Sequence, residues 1–151
     1  MFRVNRLILG VAAGMALVEP AMAADGMTPG SIFADAAVPI KVVMILLVAA
    51  MIGAVVIAVR KAMAKDVSGG SAYLSALRMG GPLLGLLGAT LNGLWSFIGI
   101  ATMGKAMPLE VYAPGLAEAA FVLSLGLLSG VVAVVCNWVV EARIDRAVLK
   151  A

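Results

Sequence analysis

The chain has 151 residues, of which 64% are hydrophobic and 13% charged, with a net charge of +3. Its mean hydropathy of +1.13 lies outside the usage of water-soluble domains, which are about half apolar and a quarter charged; a membrane is its natural solvent. Histidine is absent and the one cysteine is Cys136, which excludes imidazole ligation, histidine-based acid-base or triad chemistry, a disulfide framework and a cysteine-rich metal site.

Residues 1–23 begin with Arg3 and Arg6, continue through twelve apolar residues from Leu7 to Val18, and reach Pro20 and Ala21-Met22-Ala23. This is the layout of a secretory signal peptide with an A-x-A cleavage site. Twelve apolar residues fall short of the about 20 needed to cross a bilayer, so cleavage after Ala23 is expected. Residues 24–37 then form a short exported tail. Three transmembrane helices follow, at about 38–59, 82–103 and 115–140, and make residues 38–151 an all-α membrane domain. Lys41 is the one charge inside the first span, close enough to its end to snorkel.

The sequence pI near 9.4 could suggest nucleic acid, but the basic residues stand singly or in pairs at the ends of apolar runs, a pattern that reads as topology. Between the first two spans lie Arg60, Lys61, Lys65 and Arg78, and after the third lie Arg143, Arg146 and Lys150; the opposite side has only Lys41 and Lys105. The positive-inside rule therefore places residues 60–81 and the C-terminus in the cytoplasm, and the mature N-terminus outside, in agreement with an export signal. Trp138 and Tyr112 fall near span ends, where interfacial aromatics belong, and Trp95 is expected to pack between helices. Glu110, Glu141 and Asp145 are expected in loop or tail positions as solvated charges.

The second span carries a small and polar stripe. At about 100° per residue, Gly81, Gly85, Gly88, Asn92, Ser96 and Gly99 fall within a sector of about 80°. Such faces let membrane helices approach closely, and a buried amide such as Asn92 must find a partner or a water. The third span contains Gly126 and Gly130 in a GxxxG pattern, a second packing face. The expected packing glycines are thus Gly85, Gly88, Gly99, Gly126 and Gly130. Glu118 lies on a different stripe, with Val122, Leu125, Ser129 and Cys136. An ionisable group inside a span is costly and ordinarily faces a bundle interior or a water cavity; the plainer alternative is a carboxylate one turn inside the interface, favouring the positive helix N-terminus. No phosphate loop, nucleophile motif or metal-ligand cluster is present, so an enzyme is not expected, nor a cofactor.

The stretch GLLGATLNGLWSFIGIA from Gly85 to Ala101, and APGLAEAAFVLSLGLLSGVVAVVCNW from Ala113 to Trp138, resemble the second and third transmembrane helices of ExbB and TolQ proteins in the MotA/TolQ/ExbB proton-channel superfamily. The resemblance implies a homo-oligomeric ring, pentameric in that family. The ring surrounds the membrane helices of a bitopic ExbD- or TolR-like partner, works in some members with a TonB-like energy transducer, and sits in the bacterial inner membrane. It places Glu118 on the family's pore-facing glutamate. The family's two pore threonines align with Ala89 and Leu123, with hydroxyls beside them at Thr90 and Ser124, so the expected ion pathway is Glu118, Thr90, Asn92 and Ser124. The family's large cytoplasmic region between the first two spans is reduced here to a short link. Two readings stay open: a subunit of a motor driven by proton-motive force, and a non-conducting scaffold of an envelope complex.

Overall fold

The computed structural model describes residues 28–63, 71–104 and 108–148, and among them every regular element is a helix. The expected signal peptide lies outside the described residues. The chain divides into two units, Met1–Asp35 and Ala36–Ala151. The first contains α1, Pro29–Asp35, within the expected tail. Thr28 and Ser31 cap it reciprocally: the Ser31 amide donates to Thr28 Oγ1 at 3.1 Å, and the Thr28 amide to Ser31 Oγ at 2.9 Å. Pro29 opens the helix, where its missing N–H costs nothing.

The second unit holds α2 (Val38–Met63), α3 (Ala72–Met103) and α4 (Leu109–Val148). All three are long and apolar enough to cross a membrane. Valine and isoleucine are poor helix formers in water, yet in hydrocarbon a lone segment can satisfy its backbone groups only as a helix. Each expected span lies inside a longer helix. The 32 residues of α3 and 40 of α4 reach roughly 48 and 60 Å at 1.5 Å per residue, against a hydrocarbon core of about 30 Å.

The extra length has local causes. α3 starts ten residues before Pro82 because Ser71, in extended conformation, accepts from the Leu74 amide at 3.5 Å and caps the first turn. Pro82 is absorbed inside the helix, and Gly104 ends it at φ 62°, a left-handed cap that glycine adopts without strain. In α4, Pro114 lies in the second turn, and the helix continues through Glu141 and Asp145. Glu110, Glu141 and Asp145 are therefore helical, not loop or tail residues. Glu141 accepts from Asn137 Nδ2 one turn earlier at 2.8 Å.

The buried residues of α2 are Ile40, Met44, Leu47, Met51, Ala54 and Ala58, a strict alternation of four and three. That spacing is the seam of a left-handed coiled coil. Leu125, Val132 and Cys136 of α4 share a cluster with Met51, Ala54 and Ala58. α4 makes its broadest contact with α3 and a smaller one with α2. Arg143 Nη1 donates to the Lys61 carbonyl at 3.3 Å, so the last turn of α2 is held by α4 at the end of the unit where the basic residues gather. From α3, Tyr73 Oη donates to the Ala50 carbonyl at 3.0 Å. It fits there because Gly53 has no side chain: a Cβ at Gly53 would lie 2.9 Å from that oxygen.

Candidate functional site

The site is built on the antiparallel crossing of α3 and α4, and glycine sets how close the two come. A Cβ added at Gly85 would lie 2.6 Å from the Gly126 Cα, and one at Gly126 would lie 2.5 Å from the Gly85 Cα. On either side, a Cβ at Gly88 would meet Val122 Cγ1 at 2.7 Å, and one at Gly130 would meet Pro82 Cγ at 2.6 Å. Gly81 faces Ser129, whose hydroxyl donates to the Gly126 carbonyl at 2.7 Å. Gly85, Gly88, Gly126 and Gly130 thus sit in the crossing. Gly99 does not share in it, since a Cβ there would meet nothing within 4 Å.

Glu118 lies one turn outward from this crossing, away from the basic end. Four residues separate it from Val122, which is fully buried, so both share one face of α4. Its further members are Leu125, Ser129, Val132 and Cys136, the last three spaced as a continuation of the same seam. Val122 and Val43 both approach Gly88. By that register the α2 residues at the level of Glu118 are Pro39 and Ile40, and Ile40 is buried. Glu118 is half-buried, and its Oε1 is enclosed with no hydrogen-bond partner. An unpartnered carboxylate oxygen in such a place is costly whenever the group is charged.

Asn92 is brought to the same level. Its side chain is 6% exposed, and Nδ2 donates to the Gly115 carbonyl of α4 at 3.2 Å. Ser96 braces the crossing on the α3 side, donating to the Asn92 carbonyl at 3.0 Å. It also lies so near α4 that a Cβ at Gly115 would be 2.8 Å from its Oγ. Ser96 lies on the small and polar stripe expected to approach a neighbouring helix, whereas Gly115 was not singled out. The signal was there: a glycine directly after Pro114 and three residues before the carboxylate.

The structure separates the other two expected pathway residues from Glu118. Thr90 is exposed and spends its hydroxyl on its own helix, donating to the Leu86 and Leu87 carbonyls at 3.0 and 2.9 Å. Ser124 is exposed too and donates to the Ala120 carbonyl at 2.8 Å. Taking about 100° per residue, Thr90 stands about 160° from Asn92 around α3, and Ser124 about 120° from Glu118 around α4. Ala89 and Leu123 are half-buried. Trp95, expected between helices, is 63% exposed. Among the described residues no group of three or more histidine, cysteine, aspartate or glutamate side chains could hold a metal ion.

The sequence model of the MotA/TolQ/ExbB proton channel family matches residues 54–151, well over half of the chain. No curated protein and no solved structure is significantly similar to it.

Proposed function

As the chain belongs to the MotA/TolQ/ExbB proton channel family, we propose that it is an ExbB/TolQ-like inner-membrane subunit. It forms a homo-oligomeric ring, pentameric by analogy, and works without cofactor or enzymatic activity of its own. A bitopic ExbD- or TolR-like protein occupies the ring, and proton-motive force is converted there into work on the envelope. The observation that carries this reading is Glu118: a carboxylate inside a membrane helix, on the inward face of the three-helix unit, with one oxygen enclosed and unpartnered. Ionisable residues held inside membrane helices mark ion pathways and proton relays. The exposed apolar flanks of α3 and α4, with Leu83, Leu94, Leu127 and Val131 among them, suit lipid and neighbouring copies.

The test is proton flux into vesicles that hold the assembled complex, read with a pH-sensitive dye. Glu118→Gln is expected to leave the ring intact by native mass spectrometry and to reduce flux and envelope work to background. Unaltered flux in that variant would overturn the reading.

A second reading, the non-conducting scaffold, is favoured by one specific arrangement. The hydroxyls of Thr90 and Ser124 are committed to their own helices and turned away from Glu118, and Ala89 and Leu123 have none to offer. Among the described residues, neither of these two hydroxyls is turned toward the carboxylate. On this reading the native complex passes no protons above background while the envelope complex still depends on the ring.

A further inference from the structure

We propose that Asn92 is a positioning residue for Glu118, a clamp that holds the Glu118 turn of α4 against α3, and not a station on an ion path. The proposal rests on the reading of Glu118 as the working carboxylate. Its warrant is the geometry around Gly115. The Asn92 side chain is nearly fully buried, and its amide nitrogen is committed to the Gly115 carbonyl at 3.2 Å. Gly115 lies three residues before Glu118, and three residues is close to one helical turn. Fixing that carbonyl therefore fixes the height and rotation at which Glu118 leaves the helix.

The contact is needed because α4 is weakly held just there. Pro114 has no N–H, so the Glu110 carbonyl lacks its usual helical partner and the first turns are less firmly tied to the rest. On the inner side of Glu118, Val122 is wedged against Gly88. On the outer side, the Asn92 bond and the close approach of Ser96 to Gly115 tie α4 to α3. Glu118 is thus bracketed by α3 contacts on both sides, packing on the inner side and a hydrogen bond beside a close approach on the outer. The bond can be removed without leaving an orphan: as a residue inside a helix, Gly115 keeps an acceptor role in the helical ladder. Asn92→Leu should therefore preserve the fold and release only the restraint.

The experiment measures how readily Glu118 reacts with dicyclohexylcarbodiimide in nanodiscs holding the full-length protein, with the adduct located by mass spectrometry. Maleimide labelling of Cys136, half-buried in the core, serves as the control. In Asn92→Leu the rate at Glu118 is expected to rise about fivefold, the factor that one interhelical hydrogen bond holds in place. Cys136 labelling should stay unchanged, and Asn92→Gln, which keeps a donor, should return the rate toward native. If Asn92→Leu does not assemble, Asn92→Ala is read on the same scale. An unchanged Glu118 rate overturns the proposal, and so does a parallel rise at Cys136, which would mark general loosening. The labelling readout does not depend on flux. A Glu118→Gln variant with normal flux would therefore remove the functional reading while the clamp was still judged on its own measurement.

Discussion

At Gly85 and Gly126 the two backbones come so near that a single methyl group decides whether α3 and α4 can cross. Neither neighbour can yield, since the nearest atoms are backbone. Gly85→Ala is accordingly expected to lower stability by about 1–3 kcal/mol, the usual cost of overpacking. Gly99→Ala, with open space around it, should fall within about 0.5 kcal/mol of native. Thermal unfolding of the two variants in the same detergent checks the pair, and an equal loss in both would contradict the crossing. At this scale Glu118 was legible as an expensive carboxylate in an apolar run. The company expected for it was Asn92, Thr90 and Ser124. Asn92 bonds α4 one turn before it, whereas Thr90 and Ser124 face other ways around their helices, and the spacing argued for that: two residues along a helix is about 200°, and six is about 240° measured the same way. Whether a membrane hydroxyl faces a neighbour or turns back on its own carbonyls depends on the rotation of the helix, which a single sequence does not display.

At the scale of the elements, the three spans were readable because hydrocarbon thickness dictates a length of apolar residues. Their ends were not. Pro82 reads as a helix start, whereas Ser71 supplies the true cap and the proline is carried inside. The polar residues after Val140 read as a tail, yet α4 continues to Val148 because Asn137 and Glu141 pair along its surface and Arg143 anchors its inner side to α2. Ser71→Ala should cost about 1 kcal/mol, as the loss of an N-cap does, with the faster amide exchange confined to the first turn of α3. Arg143→Leu should speed exchange in the last turn of α2, Val59 to Met63, and leave Met51 to Ala58 protected. Exchange measured by mass spectrometry on overlapping peptides separates the two effects.

At the scale of the whole molecule, the basic residues gather at the end of the unit where Arg143 meets Lys61, and Glu118 lies toward the other end. The positive-inside rule turns that asymmetry into an orientation. In intact cells stripped of the outer membrane, Gly30→Cys should react with an impermeant maleimide, whereas Ser75→Cys should react only after lysis. The reverse pattern would invert the topology and put Glu118 on the inner side. The seam of α2 was not legible, because an all-apolar span looks alike on every face; its four-three spacing emerges only from which residues are buried. What faces outward was misjudged at Trp95, whose depth along α3 suggested burial although its indole is exposed.

The 40 residues of α4 form one continuous helix that holds Glu118 near one end and Arg143 near the other. Such a shaft does not twist freely along its length, because each turn is locked to the next by backbone hydrogen bonds. Any rotation that swung the carboxylate out of the interior would also swing Arg143 away from the Lys61 carbonyl and uncover the end of α2. Events on the two sides of the bilayer are therefore geared to one another through a single rigid axle.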